Sequence, residues 1–519
     1  MTMTMVNPSP PFLFLILFPR FYSRLPSKPL PTLDDAVSSF HRMLHLHPPP
    51  SIVALNKLLS SIMKTKRYPT VVSLCSQLDS KGIPKPSLVT LSIFINSLSH
   101  LGQMGFSFSV IGKIIKRGFP VDPLTLTTIM KGLCLKGRTF EALNLHDHAV
   151  SKGFSFDEVC YGTLINGLCK VGNTKRAIEL LRKIQKPNLI MYNTVVDGLC
   201  KEGLVTEACA LCSEMVGRGI CLDVFTYNSL IHGLCGAGRF QAAVRLLNEM
   251  VMQGDHVQPD VYTFNIFVDA LCKLGMVAEA RNVFGVMIKR GLEPDVVSYN
   301  ALMNGWCLRG GVSEAKEVFD RMVERGQSPN VISYSTLING YCKVEMVDEA
   351  LRLLTEMHHR NLVPDTVIYN CLLDGLSKSG RVLYEWDLVE AMRVSGQAPD
   401  LITYNVLLND YLKRDCLDKA IALSQHIVDM GISPNIRTYN ILIDGLCKGG
   451  RLKAAKEVFQ LLSLKGCGPN IRTYNIMING LRKEGLLDEA EALLLEMVDN
   501  GCPPNAITFD PLVRALLEK

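Results

Sequence analysis

A chain of 519 residues, 48% hydrophobic and 20% charged, has the make-up of a folded globular protein and excludes a disordered one. Lys and Arg number 55 against 49 Asp and Glu, a formal charge of +6, which permits a polyanionic partner without requiring one. The absence of any run of 18 apolar residues excludes a transmembrane helix, and 17 cysteines, odd in number and largely periodic, exclude a secreted disulfide framework.

Residues 1–33 hold no acid, carry Arg20, Arg24 and Lys28, and include hydroxyl residues, the composition of an organelle transit peptide. Arg20-Phe21-Tyr22-Ser23 resembles a cleavage site of the mitochondrial processing peptidase. The expected location is therefore the mitochondrion, with the chloroplast as the alternative. A secretory reading of Phe12 to Phe18 fails, because the run is short, lacks a basic residue before it and precedes a cysteine pattern unsuited to secretion. Residues 34–51 form a helical cap and linker that ends at Pro48 to Pro50.

From Ile52 to Asn505 the chain matches itself at a period of 35, which yields thirteen repeats. Their first residues are Ile52, Leu88, Pro123, Glu158, Leu189, Val224, Val261, Val296, Val331, Thr366, Leu401, Ile436 and Ile471, and a partial repeat occupies 506–519. In the repeat Val296 to Asn330, Val297, Leu302, Met303 and Trp306 have helical spacing up to Gly310-Gly311. Ala315, Val318, Phe319 and Met322 then follow at i, i+3, i+4 and i+7 before Gly326 and Pro329. Each repeat is thus a helical hairpin that cannot bury its own apolar faces. Stacked neighbours must bury them, which predicts an all-α solenoid superhelix of either hand.

Length changes fall where such a hairpin tolerates them. The repeat Glu158 to Asn188 lacks four residues, near one turn of its second helix, and the repeat Val224 to Asp260 gains two around Gln253 to Gln258 in a loop. Eight cysteines in a GLC-like phrase (Cys134, Cys169, Cys200, Cys235, Cys272, Cys307, Cys342, Cys447) read as small core residues.

The fourth residue of most repeats is aromatic, as a core requires. The fifth is repeatedly Asn, a mediocre helix former, and a recurrent amide inside a helix calls for a partner. The last residue is Asp or Asn in nearly every repeat, and capping of the next helix accounts for part of that choice. Two polar positions recurring once per repeat suit a modular reader of a linear polymer.

The TYN phrase, the GLCK turn, the EA and EM of the second helix, the RG loop and the closing P-D or P-N resemble the pentatricopeptide-repeat family, in its plain 35-residue class. LDDAVSSFHRML followed by NKLLSSI looks like its fertility-restorer-like branch. The resemblance implies sequence-specific binding of single-stranded organelle RNA, one base per repeat, in RNA processing, stabilisation or expression.

By the same resemblance, the fifth and last residues read the base. Asn193 with Asp223, Asn228 with Asp260, Asn265 with Asp295 and Asn370 with Asp400 imply uracil. Asn300 with Asn330, Asn405 with Asn435, Asn440 with Asn470 and Asn475 with Asn505 imply a pyrimidine, cytosine favoured. Ser92 with Asp122, Thr127 with Asp157 and Ser335 with Asp365 imply guanine, and Asn56 with Ser87 implies cytosine. Gly162 leaves Asn188 without a reading partner. Written from the 5′ side, the implied site is C G G N U U U Y G U Y Y Y. Second residues, namely Ile190, Phe225, Tyr262, Val297, Ile332, Val367 and Ile402, would pack on the bases.

Lys170, Lys201, Lys273, Lys343, Lys448 and Lys483 follow the GLC phrase, either as solvated helix ends or as phosphate contacts. No cofactor or metal is expected: Cys209 and Cys212 lie at core spacing in a second helix, while His146, His148, His358 and His359 read as isolated surface residues. The C-terminus leaves no room for a deaminase or nuclease domain, and no phosphate-binding GK[ST] phrase occurs. The expected protein is therefore not an enzyme, and its expected partners besides RNA are a processing nuclease or another protein recruited in trans, with no membrane. The alternative is a protein-binding scaffold of paired helices, against which stands the missing W-x₂-L-G-x₂-Y phrase.

Overall fold

The computed structural model describes residues 33–510 except positions 47, 49, 83, 254–256, 382–383 and 465–467. The segment read as a transit peptide, save Leu33, the core of the two-residue insertion, and residues 511–519 of the partial repeat lie outside the described residues. The chain divides into two compact bodies, one ending at Gly233 and one beginning at Leu234.

Both bodies are built from one element, a pair of antiparallel α-helices. First helices begin at Ile52, Leu88, Pro123, Glu158, Leu189, Val224, Val261, Val296, Val331, Thr366, Leu401, Ile436 and Ile471, the residues at which the period sets its repeats. Helix Val296–Leu308 is joined to Val312–Glu324 through Gly310, whose φ of 76° only glycine adopts without strain. Glu345 and Asp415 hold the equivalent turn at φ 63° and 58°. In the shortened repeat the second helix, Thr174–Lys183, has 10 residues against the usual 13, so most of the deletion comes out of that helix.

Within the first body, Leu88–Leu101 lies on Pro123–Leu135, which lies on Glu158–Lys170, which lies on Leu189–Lys201. Within the second, Val261–Lys273, Val296–Leu308, Val331–Lys343 and Thr366–Lys378 follow one another in the same way as far as Ile471–Lys483. Second helices pack on their own first helix and lean on the first helix of the next repeat. Fourth-position tyrosines 192, 227, 334, 369, 404 and 474 are fully buried. Phe284, Phe319 and Phe459 of the second helices meet Tyr299, Tyr334 and Tyr474 edge to face at 5.2, 5.3 and 5.5 Å, a geometry contributing about 0.5–1.5 kcal/mol beyond burial.

One expectation is corrected here. His146 is buried, not superficial. It occupies the second-helix position of Phe284 and Phe319, its ring stands 5.3 Å from that of Tyr161 at 68°, and Asp147 Oδ1 lies 3.0 Å from its Nδ1. An imidazole here replaces a phenyl ring in the same aromatic pair.

The GLC phrase has a packing cause. A Cβ on Gly340 would stand 2.5 Å from Cys307 Sγ; on Gly167, 2.5 Å from Cys134 Sγ; on Gly480, 2.5 Å from Cys447 Sγ. Glycine in one first helix accepts the cysteine of the preceding one, so the two backbones lie close. Burial pushes the thiols of Cys200, Cys272 and Cys342 up to about 12, so these side chains act as neutral small hydrophobes.

The seam between the repeats starting at Thr366 and Leu401 replaces this pattern with ionisable groups. Asp410 stands in the glycine position, Ser377 in the cysteine position, and Glu385 where other second helices bury alanine, as at Ala315 and Ala350. Ser377 Oγ donates to Asp410 Oδ1 at 2.9 Å. Arg414 Nη2 lies 2.7 Å from Asp410 Oδ2 and 3.6 Å from Glu385 Oε1. Burial and the Asp410 carboxylate, opposed by Arg414, push the Glu385 carboxyl up to about 7.

Gly340→Ala gains helix propensity but overpacks Cys307, and should lower stability by about 1–3 kcal/mol; chemical denaturation measures the loss, and adding Cys307→Ala should recover most of it. For Glu385, the raised pKa means that its stabilising contribution is complete below about 4.3, the unfolded value, and is lost as pH rises through about 7. The melting temperature of Glu385→Gln relative to the parent should therefore rise between pH 5 and pH 8; a constant difference contradicts the buried pair.

Candidate nucleic-acid interface

The last residue of each repeat sits in extended backbone ahead of the next first helix and caps it. Asp295, at φ −95° and ψ 178°, accepts from the Ser298 backbone N–H at 2.9 Å. Asp122, Asp157, Asn188, Asp223, Asp365, Asp400, Asn470 and Asn505 make the equivalent bond. In each case one terminal oxygen is committed to the backbone.

The fifth-position amide finds its partner there. Asn193 Nδ2 donates to Asp223 at 3.0 Å, Asn265 to Asp295 at 3.1 Å, Asn370 to Asp400 at 3.2 Å, Asn300 to Asn330 at 3.4 Å and Asn56 to Ser87 Oγ at 3.0 Å. Asn405, Asn440 and Asn475 have no such bond to Asn435, Asn470 and Asn505 among the described residues. Asn228 and Asp260 each have partners. Ser92 and Thr127 instead donate to their own helix, to Leu88 O at 2.9 Å and Pro123 O at 2.8 Å, and so do not reach Asp122 or Asp157. Ser335 and Asp365 are likewise not joined by a hydrogen bond. Asn188 gives its Nδ2 to Glu158 Oε2 at 2.8 Å.

Burial opposes ionisation of Asp295. The hydrogen bonds it accepts from the Ser298 backbone, Asn265, the Ser298 hydroxyl and the Val297 backbone outweigh that cost and hold its carboxyl below the usual range. Asp400 is held low in the same way by Thr403, Asn370 and Ile402. Both stay anionic at neutral pH.

Sequence reasoning missed a third participant, the residue three positions into the next repeat. Thr226 Oγ1 donates to Asn193 Oδ1 at 2.6 Å, Ser298 Oγ to Asn265 at 2.5 Å, and Thr403 to Asn370, Thr473 to Asn440, Thr508 to Asn475 and Thr90 to Asn56 at 2.7 Å. Its signal in the sequence is a hydroxyl residue just inside most first helices, a place where a capping box also puts one.

Beside these polar groups the second residues Ile190, Phe225, Tyr262, Val297, Ile332, Val367 and Ile402 are 53–74% exposed, apolar side chains that no core claims. Arg437 and Arg472 take this place in the last two full repeats. At about 100° per residue, positions two, six, nine and thirteen fall on one stripe of the first helix. The stripe therefore also carries the lysines, which divide into two sets. Lys201, Lys273 and Lys448 pair with Asp197, Asp269 and Asp444 one turn earlier, each at 2.6 Å. Lys170, Lys343 and Lys483 have Asn at that place and form no ion pair among the described residues.

Among the described residues no group of three His, Cys, Asp or Glu is gathered that could hold a metal ion, and no helix is long and apolar enough to cross a membrane.

Known proteins share this repeat architecture. The model of the PPR repeat family matches nine overlapping stretches from residue 187 to residue 518, and two further PPR repeat models match 152–185 and 124–154. A mitochondrial pentatricopeptide repeat-containing protein of Arabidopsis thaliana is 43% identical over 86 residues, 17% of this chain and 13% of its own length. The mitochondrial protein Rf1 of Oryza sativa subsp. indica is 32% identical over 114 residues, 22% of this chain and 14% of its own. The matched segments thus span a small part of those relatives. The crystal structure of the pentatricopeptide repeat protein PPR10 from maize is similar in fold, with a TM-score of 0.52, 24% identity, and coverage of 93% of this chain and 79% of that one. Period, hairpin and family models agree, and the chain belongs to the pentatricopeptide repeat family, in its plain class of 35-residue repeats.

Proposed function

We propose that the chain binds single-stranded RNA sequence-specifically, one base per repeat, in mitochondrial RNA processing, stabilisation or expression, and that it does so by occupancy rather than catalysis. The observation that carries this reading is the fifth-to-last hydrogen-bonded pair, repeated along the array beside an exposed apolar second residue. A base lying on that apolar side chain would present its Watson–Crick edge to the pair.

The chemistry of the last residue explains the choice of base. One terminal oxygen is used by the cap, so what remains is a carboxylate oxygen in Asp and an amide NH₂ in Asn. Uracil N3–H and guanine N1–H are donors and match the oxygen, whereas cytosine N3 is an acceptor and matches the NH₂. This supports C G G N U U U Y G U Y Y Y as the target. The repeat closing at Asn188 would go unread, because Gly162 offers nothing and Asn188 is engaged by Glu158. Lys170, Lys343 and Lys483 are the lysines free to meet phosphate, since the others are neutralised by their own carboxylates. The mitochondrial names of the relatives and the acid-free, Arg-bearing first 33 residues support the location. Bound RNA would be shielded from exonucleases or presented to a nuclease recruited in trans.

A selection from a random single-stranded RNA pool at near-physiological salt tests the reading, which predicts enrichment of a U-rich core flanked by G; binding that ignores sequence sinks it. Asp295→Asn should move the preference at the seventh nucleotide from uracil towards cytosine by about tenfold, or ~1.4 kcal/mol, as measured by competition between the two RNAs. Replacing Lys170, Lys343 and Lys483 with Ala should flatten the slope of log affinity against log salt by about 2, at ~0.7 per phosphate contact on a single strand. The same change at Lys201, Lys273 and Lys448 should flatten it by less than half as much.

A further inference from the structure

The hydroxyl that enters from the following repeat follows a rule within this chain. Asn56, Asn193, Asn228, Asn265, Asn300, Asn370, Asn405, Asn440 and Asn475 are each followed, in the next repeat's third position, by Thr90, Thr226, Thr263, Ser298, Ser333, Thr403, Thr438, Thr473 and Thr508 respectively. Where the fifth residue is Thr127, Gly162 or Ser335, the third position ahead is Cys160, Met191 or Ile368. Capping does not demand this correlation, because Asp157, Asn188 and Asp365 cap their helices with no hydroxyl at that position. Only Ser92, followed by Thr125, has a hydroxyl ahead of it without being Asn; the two oxygens lie 3.4 Å apart.

Geometry supplies the reason. Asn370 is buried; its Nδ2 donates to Asp400 at 3.2 Å and its Oδ1 accepts from Thr403 Oγ1 at 2.7 Å. Thr403 Oγ1 also lies 3.0 Å from Asp400 Oδ1 and accepts the Asp400 backbone N–H at 3.1 Å, which closes a ring of three side chains. An amide tied at one end can pivot, and its two ends are nearly alike in shape but opposite in hydrogen-bonding sense. Tied at both ends, it can neither swing nor turn over. For Asn440 and Asn475 the hydroxyl is the one side-chain partner of the amide among the described residues. In Asn300 and Asn405 the hydroxyls of Ser333 and Thr438 bond only to Asn330 and Asn435.

We propose that the third-position Thr or Ser is a positioning residue for base discrimination where it bonds the fifth-position Asn of the repeat before it, as Thr90, Thr226, Ser298, Thr403, Thr473 and Thr508 do: it locks that Asn, so that these reading sites are completed by their downstream neighbours. The inference rests on the RNA-reading function proposed above. It makes the reading site a property of two adjacent repeats rather than one.

The test measures affinity of the full chain for RNAs that carry uracil or cytosine at the tenth nucleotide, which the repeat starting at Thr366 would read. Thr403→Val should bring a uracil preference of roughly tenfold to near parity there, leave the preference at the fifth nucleotide intact, and be rescued by Thr403→Ser. A loss of affinity equal for all RNAs, with the tenth-position ratio kept, would make Thr403 merely structural and overturn the proposal. A second pair of variants adds the ring where it is missing. Ser335→Asn alone should give little uracil preference at the ninth nucleotide, and Ser335→Asn with Ile368→Thr should give a clear one; equal preference in both overturns the inference. A parent chain with no base preference at any nucleotide would instead overturn the RNA reading itself, and the two failures are thereby distinguished.

Discussion

How closely one first helix can lie on the next is the constraint from which the rest of this structure follows. No hairpin buries its own faces, so every first helix within a body is covered by its neighbours' first helices. The glycine that accepts a cysteine of the preceding helix, as Gly340 accepts Cys307, sets the spacing. That spacing carries a hydroxyl on one helix to within 2.5–2.7 Å of an amide on the one before it. A polar ring between repeats is thus a consequence of small-on-small apolar packing about two turns further along the same helices.

On the proposed reading, discrimination and attraction occupy separate parts of the first-helix surface. Discrimination would rest on neutral amides and on Asp carboxylates, the ionisation of Asp295 being secured by four accepted hydrogen bonds. Attraction would rest on lysines about two turns further along the helix. Neutralising half of those lysines internally lowers the non-selective, salt-sensitive share of any polyanion affinity without touching the polar pairs. A chain carrying a formal charge of only +6 over 519 residues fits that division.

Much of the architecture was legible because it is periodic. Helix starts from Ile52 to Ile471, the buried fourth-position tyrosines and the glycine turns all repeat at one spacing, and periodic burial is what hydrophobic pattern reports best. The likeness of Asn193 and Asn265 as amides needing a partner was also visible. What was not visible was a partner 33 residues ahead: Thr226 and Ser298 look like ordinary capping-box residues, and a second role leaves no mark on a single repeat. His146 was misjudged because polarity argues for the surface, while its place opposite Tyr161 could be recognised only by aligning it with Phe284 and Phe319. The lysines were treated as one class because the Asp or Asn four residues earlier was not weighed with them.

The joint between the repeats that start at Thr366 and Leu401 has a consequence of its own. In a linear array, stability is close to a sum of nearest-neighbour couplings, and opening begins at the weakest. At Gly340, Gly375 and Gly480 the coupling is sulfur against glycine, indifferent to proton concentration. At Asp410, Glu385, Ser377 and Arg414 it is an acid pair with a single cation. The array therefore carries a link whose strength depends on acidity, and as the surroundings become alkaline its cooperative melting would divide there into two shorter segments.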